Sequence, residues 1–159
     1  MAPKTTRATQ ALDRLGLRYT LHSYDYDGDA PRIGLQAAEA LGVPPSRVLK
    51  TLMAAVDGRT VCLLLASDRE AAMKRVAAAF GGKSAAMLKP ADAERLTGYH
   101  VGGISPLGQK RAFATAIDAG SLTVPEAEIH INGGGRGLQI RLTEHDLVVA
   151  LGPQVVALS

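Results

Sequence analysis

Lys50 is the residue whose surroundings most favour a chemical role. It lies within the apolar run 48–56, which has the composition of a buried β-strand. An ammonium group there costs free energy unless it reaches a polar ligand, or unless its aliphatic stem packs and the charged end extends to water. The sequence alone favours these two interpretations about equally. In the first, the ammonium would reach a pocket or an anionic partner.

Two glycine-rich segments could place main-chain N–H groups against a ligand. Residues 102–111 read GGISPLGQKR, and residues 132–138 read NGGGRGL with Arg136 as the single cation. The first predicts a rigid loop able to bind an oxyanion or a carbonyl oxygen, and the second predicts a hairpin. An ordinary connecting turn and a hairpin with a solvated arginine are the alternatives. Neither segment is a nucleotide-binding motif, because Gln109 and Leu138 stand where the Walker A lysine and the third dinucleotide-fingerprint glycine would be.

Other familiar catalytic arrangements are not legible in the sequence. Ser105 precedes a proline and lacks the GxSxG context of a nucleophile elbow. The single cysteine, Cys62, lies in an apolar run and is predicted to be a buried structural thiol. Short metal-ligand spacings are absent among the four histidines, which are expected to be surface or hydrogen-bonded residues: His22, His100, His130 and His145. We therefore expect neither a metal nor another cofactor.

Composition and charge limit the class of protein. The chain has 159 residues, of which 47% are hydrophobic and 21% charged, and this predicts one globular domain over residues 1–159. The net charge of +3 is compatible with a phosphate-bearing partner and equally with surface solvation. No apolar run approaches the roughly 18 residues that span a bilayer, and one cysteine excludes an internal disulfide. The protein is expected to be cytoplasmic.

The elements that must position Lys50 and the two loops follow from apolar periodicity and capping residues. Helices are predicted over 6–15, 33–41, a segment capped by Ser67 or Asp68 that buries Met73 to Phe80, 90–98 and 143–150. Strands are predicted over 18–26, 48–56, 60–66, 85–88, 113–118, 128–132, 137–142 and 155–158, with Asp57-Gly58 as a hairpin turn. The order predicts an α/β protein in the broad sense (α+β), with a mixed, largely antiparallel sheet or partly closed barrel and surrounding helices.

Three segments together resemble one known family. They are Val48-Leu49-Lys50-Thr51-Leu52, the stretch from Thr97 to Arg111, and Gly133 to Leu138. In this order and spacing the sequence resembles the bacterial Cys-tRNA(Pro) deacylases of the YbaK/EbsC family, which are related to the editing domain of prolyl-tRNA synthetases. The resemblance implies a deacylase that removes cysteine from mischarged proline tRNA, in trans and in a ternary complex with prolyl-tRNA synthetase. It also implies that the substrate's thiol attacks its own aminoacyl carbonyl and leaves as a cyclic thioester.

The resemblance also assigns the site residues. Lys50 is implied as the catalytic residue. The implied substrate-binding residues are Tyr24, Thr51, Gly102, Gly103, Ile104, Ser105, Pro106, Asn132 and Arg136. The small residues Ala30, Ile33 and Gly34 could shape the acyl pocket. Two positions depart from the family, which usually has serine or a similar small polar residue at Asn132 and often aspartate at Gln139.

Two alternatives stay open from the sequence. The first is a deacylase that acts on Ala-tRNA(Pro) or another small aminoacyl-tRNA. The second is a non-catalytic module that binds aminoacyl-tRNA or its synthetase without needing Lys50. The relative rates of cysteine and alanine release would separate the first from the leading hypothesis, and a Lys50→Ala variant would separate the second.

Overall fold

Eight strands and five α-helices make up the part of the chain that the computed structural model describes, residues 5–29 and 33–159. The helices are α1 (Arg7–Leu15), α2 (Ile33–Leu41), α3 (Met73–Ala79), α4 (Pro90–Thr97) and α5 (Glu144–Leu151). The strands are β1 (Thr20–Ser23), β2 (Leu49–Val56), β3 (Arg59–Ala66), β4 (Ala85–Met87), β5 (Ala114–Asp118), β6 (Glu128–Asn132), β7 (Leu138–Thr143) and β8 (Gln154–Val156). Two short 3-10 helices complete it, Pro45–Arg47 and Ala119–Ser121. No helix in these ranges is long and apolar enough to cross a bilayer.

The strands form two sheets, where the sequence predicted one. A three-stranded sheet has the order β1-β7-β6 and is antiparallel throughout. A five-stranded sheet has the order β4-β2-β3-β5-β8, in which β3, β5 and β8 run parallel and the other pairs are antiparallel. The two sheets meet at a bridge between Val48 and His130 and do not close into a barrel over the described residues. The predicted α+β class and the mixed pairing are confirmed.

The core lies on both faces of the β2–β3 hairpin. One cluster fills the space between the two sheets and includes Leu49 and Met53 of β2 together with α1 and α5. A second cluster covers the opposite face of β2 and β3 and includes Val56 and Val76. Alternate side chains of β2 therefore pack into two different clusters, as expected for a strand between two apolar layers. Lys50 lies on the face of the second cluster, beyond its apolar end.

The outer edge of β2 is only partly paired, and this opening creates the site. The strand β4 pairs with residues Ala54, Ala55 and Val56 alone, whereas β3 pairs with the whole of β2. Beyond that short pairing, the Leu88 N–H donates to the Met53 carbonyl at 3.0 Å. Main-chain groups alternate in direction along an antiparallel strand, so those of Thr51 also point toward this open edge.

Local capping explains which predicted element bounds are right. The left-handed Gly16 ends α1 as predicted, while Thr6, predicted as the first helical residue, caps the helix with the reciprocal bonds of a capping box. Thr143 likewise accepts a hydrogen bond from the Asp146 N–H at the start of α5. The predicted cap of α3 is wrong: the helix begins after Ala72. Ser67 instead donates to the Val48 carbonyl at 2.6 Å, because it is buried at the end of β3.

Candidate active site

A cavity of about 330 Å³ lies beside the open edge of β2. Its walls come from β2, from the connection between β4 and α4, from the loop that follows α4, and from the facing ends of β6 and β7. The lining residues are Val48, Leu49, Lys50, Thr51, Leu52, Met53, Met87, Leu88, Pro90, Ala93, Val101, Gly102, Ile104, Asn132 and Gln139. Five of the ten predicted site residues are among them, so the structure brings together segments that are up to 82 positions apart in the chain, from Lys50 to Asn132.

Lys50 is the charged residue among the described residues that line this cavity. Its side chain is 20% exposed, and its nearest carboxylate, Glu70, lies 3.8 Å from Nζ but is itself 80% exposed. A pair at this distance with one solvated partner contributes little attraction. The Lys50 ammonium therefore keeps hydrogen-bonding capacity for a ligand.

The predicted loop after α4 is held in one shape by contacts across its base. The Lys110 N–H donates to the Thr97 carbonyl at 2.8 Å, and the Tyr99 hydroxyl donates to the Leu107 carbonyl at 2.6 Å. Tyr99 is buried, and burial raises the pKa of its phenol to about 12, so it stays a donor at neutral pH. These bonds fix the segment between them against the cavity.

Asn132 connects this loop to the second glycine-rich segment. Its Nδ2 donates to the Gly102 carbonyl at 3.0 Å, and its Oδ1 accepts from the Gly134 N–H at 2.8 Å. The contact is close at Gly103 as well, because an added Cβ there would lie 3.0 Å from the main-chain nitrogen of Arg136. Glycine at position 103 is therefore required by the approach of two backbones.

Only some of the main-chain N–H groups in the predicted oxyanion-binding loop are free to bind a ligand. The Gly103 N–H donates to the His100 carbonyl at 2.8 Å and is not available to a ligand. Within residues 5–29 and 33–159, the N–H groups of Gly102, Ile104 and Ser105 have no acceptor. Gly102 and Ile104 also line the cavity. Unpaired amides beside a cavity are the donors that an oxyanion or carbonyl oxygen can use.

Ser105, Pro106 and Arg136 lie next to the cavity without lining it. Ser105 is fully buried, its Oγ accepts from the Leu107 N–H at 3.3 Å, and its carbonyl accepts from Gln109. Pro106 lines a separate groove on the other side of the loop. Arg136 donates to the Val101 carbonyl at 2.9 Å and lies over the ring of Tyr26, 5.5 Å from its centre. In this structure the contacts of Ser105 and Arg136 hold the loop in position.

Tyr24 lies behind the cavity rather than in its lining. Its ring packs against Ala37, Ala38 and Val48, and Val48 lines the cavity. Its hydroxyl is buried with no hydrogen-bond partner in the described part of the chain, and burial raises the pKa of the phenol. Ala30 and the side chains of Ile33 and Gly34, which the sequence suggested for the acyl pocket, lie outside the described residues.

Two polar side chains in the cavity wall lack partners. Thr51 Oγ1 and Gln139 Oε1 are both buried, and neither has a hydrogen-bond partner among the described residues. Gln139 is only 4% exposed. Unsatisfied buried polar atoms are rare in proteins and require an explanation such as a ligand. The sequence treated Gln139 only as a departure from a family pattern, and it singled out no binding role for it.

The apolar wall of the cavity is the part that sequence reasoning missed. It comes from Met87, Leu88, Pro90, Ala93 and Val101, which belong to three different elements. None of these residues stands out by type or spacing, because each also fits the apolar pattern of its own element. Their joint role is visible only once β4 and α4 have folded against β2.

The histidines show one departure from expectation. His130 is 5% exposed, its Nδ1 has no partner in the described ranges, and its ring meets that of His22 edge to face at 5.5 Å. Burial lowers the pKa of His130, and the nearby His22 and Arg141 lower it further. Cys62 is buried as predicted, and burial raises the pKa of its thiol to about 12. In the described ranges no three His, Cys, Asp or Glu residues lie together as metal ligands.

Comparisons with known proteins identify the family of this chain. The family model of the aminoacyl-tRNA editing domain matches residues 32–148. The "Putative Cys-tRNA(Pro)/Cys-tRNA(Cys) deacylase EbsC" of Enterococcus faecalis is 37% identical over 111 residues, which are 66% of this chain and 63% of that protein. A proline–tRNA ligase of Acidithiobacillus ferrooxidans is 35% identical over 71 residues, 45% of this chain and 12% of the ligase. The chain thus matches less than two thirds of the length of either relative.

A solved structure shares the fold. It is described as "a putative trans-editing enzyme for prolyl tRNA synthetase", and it superposes with a TM-score of 0.80 over 96% of this chain and 94% of its own, at 23% identity. This structural similarity supports the fold. Family membership rests on the family-model match to the sequence. The resemblance noted in the sequence is confirmed at the level of the family. Because the match spans 117 of 159 positions, from 32 to 148, the chain belongs to the aminoacyl-tRNA editing domain family.

Proposed function

We propose that this protein is a trans-editing deacylase that removes cysteine from mischarged Cys-tRNA(Pro). The observation that carries the proposal is one cavity whose lining includes Lys50 together with Gly102 and Ile104, whose amides have no acceptor among the described residues. Family membership supports an aminoacyl ester as the ligand. The name of the E. faecalis relative, which includes Cys-tRNA(Pro), supports cysteine as the acyl group.

The chemistry needs little from the protein beyond binding and orientation. An aminoacyl ester is already activated, so holding it and stabilising the developing oxyanion suffices. In the proposed step the substrate's thiol sulfur attacks the carbonyl carbon. The ester C–O bond then breaks, and the thiol proton passes to the leaving ribose oxygen. The product is a cyclic thioester that water later opens; direct attack by water on the ester is the hydrolytic alternative.

Each cavity residue has a role in this step. Lys50 binds the ribose or phosphate oxygens of the terminal nucleotide and keeps the ester in place. The amides of Gly102 and Ile104 donate to the carbonyl oxygen as its negative charge grows. The apolar wall, with Met87 and Val101 at its outer side, excludes water and limits the acyl group to a small one. Tyr24, Ser105 and Arg136 support the walls.

Selection of the tRNA requires more than this domain. A net charge of +3 gives few phosphate contacts, and affinity for nucleic acid rises with the number of phosphates neutralised. A ternary complex in which prolyl-tRNA synthetase selects proline tRNA and this protein removes the wrong amino acid would supply the missing specificity. That arrangement places the protein in the cytoplasm with the synthetase.

The test is deacylation of Cys-tRNA(Pro) by the wild-type protein and by Lys50→Ala. We expect the variant to lose about two orders of magnitude in kcat/KM, the size of effect expected when a substrate is no longer correctly positioned. Lys74→Ala is the matched control, because Lys74 is an exposed lysine on α3 outside the cavity. Full activity of Lys50→Ala would contradict the proposal. So would binding of Cys-tRNA(Pro) that is the same in all three proteins, if none of them, including the wild type, hydrolyses it. Faster release of alanine than of cysteine would contradict the assigned acyl group.

A further inference from the structure

The described residues that line the cavity include one cation and no anion. Among the described residues that line it, Lys50 is the only ionisable side chain. The seven residues outside the described ranges, 1–4 and 30–32, include neither aspartate nor glutamate, so none of them can supply a carboxylate. The nearest acid, Glu70, lies in solvent. A second positive charge in this cavity would therefore meet repulsion that nothing nearby offsets.

The titratable groups that face Gln139 do not offset the positive charge of Lys50. In the sheet, Gln139 of β7 lies opposite His22 of β1 and opposite Asn132 of β6. The remaining titratable groups on the same face are His130, Arg141 and Glu128, and Glu128 is 3.5 Å from the Arg141 guanidinium. Across the cavity, Glu94 accepts the Val101 N–H and lies 3.5 Å from His100. Each of these carboxylates already has a cationic or potentially cationic neighbour.

The two unpartnered polar atoms are neutral. Gln139 Oε1 accepts hydrogen bonds, and the Thr51 hydroxyl both accepts and donates. An α-ammonium group has three donors and no acceptor, so it leaves the Thr51 hydroxyl proton unpaired and brings a charge beside Lys50. An uncharged amine, or a hydroxyl, offers a donor and a lone pair together. Such a group can satisfy both orphaned atoms.

We propose that this cavity binds esters whose α-substituent is uncharged, which means the neutral-amine form of an aminoacyl ester and equally an α-hydroxyacyl ester. The inference rests on the proposed deacylase function and adds the charge state of the acyl group to it. The specificity-determining residue is Gln139, with Thr51 as its companion. Replacement of the neutral amide by a carboxylate would reverse the preference.

The size of the effect follows from the titration of the substrate. A free α-amino group has a pKa of about 7.7, so roughly 6% of it is neutral at pH 6.5 and roughly 86% at pH 8.5. The rate for an aminoacyl ester, relative to its α-hydroxy analogue, should therefore rise by about fifteenfold between these two pH values. Burial lowers the pKa of both His22 and His130, so they stay mainly neutral over this range.

The experiment compares two esters of the same proline tRNA, one loaded with cysteine and one with 2-hydroxy-3-mercaptopropionate. An α-ammonium group acidifies the neighbouring thiol and a hydroxyl does not, so the enzymatic rate for each ester is divided by its uncatalysed rate at the same pH. We expect the wild-type protein to favour the hydroxyacyl ester by about fifteenfold at pH 6.5, with the preference nearly gone at pH 8.5. A ratio of the two enzymatic rates that does not change with pH would overturn the inference, and so would a preference for the amine at pH 6.5.

The Gln139→Glu variant provides the second arm. We expect it to favour the aminoacyl ester at pH 6.5, because the new carboxylate pairs with the ammonium group. Gln10→Glu is the matched control, since it adds the same charge on an exposed position of α1 and should keep the wild-type ratio. Should Gln139→Glu fail to fold, the wild-type ratios decide the question alone. Absence of hydrolysis of both esters would instead contradict the deacylase function itself, so the two failures are distinguishable.

Discussion

Asn132 allows the most direct test of how the site is assembled. Its side chain makes two hydrogen bonds, one to each glycine-rich segment, at 3.0 and 2.8 Å. Asn132→Ala removes both. At about 1 kcal/mol for each bond, the free energy of unfolding should fall by about 2 kcal/mol. For a domain of this length, that corresponds to a decrease in Tm of roughly 4–8 °C.

The activity of this variant should fall more than its stability alone explains. Without the Asn132 bond, the Gly102 carbonyl is no longer held, and the neighbouring amides lose their alignment with the cavity. We expect at least a tenfold lower kcat for Cys-tRNA(Pro) at a temperature where the variant is fully folded, since one misaligned oxyanion donor costs that much or more. KM should change little, because Lys50 and the apolar wall are intact.

Thermal unfolding and steady-state deacylation, measured on the same preparation, check both effects. Gln36→Ala is the matched control: Gln36 also makes two hydrogen bonds to one loop, at 2.8 and 2.9 Å to Asp27, but away from the cavity lining. The control should lose stability and keep kcat. Wild-type Tm and kcat in Asn132→Ala would refute the bridging role. A lower kcat with unchanged Tm would show that Asn132 contacts the substrate instead.

Two further predictions concern buried groups. Burial and the neighbouring cations lower the pKa of His130 below its ordinary 6.5, so the unfolded chain takes up a proton at that position before the folded one does, and stability should fall as pH drops below 6.5. His130→Gln should weaken this decrease in Tm, and an identical pH profile in both proteins would contradict the assignment. Burial raises the pKa of the Cys62 thiol to about 12, so the native protein should resist alkylation by iodoacetamide at pH 8 and react only after denaturation. Rapid modification of the folded protein would contradict this burial.

Most elements could be predicted because local signals determine them. The Asp57-Gly58 turn forms the predicted hairpin, with φ values of 48° and 83° that suit these residue types. Thr6 and Gly16 likewise fix both ends of α1. The cap of α3 failed because Ser67 satisfies the Val48 carbonyl in the core, so a tertiary contact outweighed a local preference. The division of the strands into two sheets depends on which distant strands pair. This pairing cannot be inferred from the apolar periodicity of a single strand.

The site was predictable where a residue is chemically out of place. A lysine in an apolar strand and glycines crowded into two loops stand out in the sequence, and Lys50, Gly102 and Asn132 do lie at one cavity. Gln139 did not stand out, since alternate polar residues on a strand are normal where one face meets solvent. Its importance comes from burial without a partner, a property that exists only after β7 has packed against the rest of the fold.

Hydrogen-bond satisfaction divides the site residues into two groups. Gly103, Ser105, Asn132 and Arg136 each make hydrogen bonds within the protein that hold the loops in place. In the described part of the chain, Thr51, Gln139 and the amides of Gly102 and Ile104 are unpaired, and all four residues line the cavity. A buried group left without a partner lowers the stability of the free protein, so it persists only where something else selects for it. Substitutions in the first group should therefore lower stability and activity together. Isosteric substitutions in the second, such as Thr51→Val, should lower activity while leaving the folded state as stable or more so.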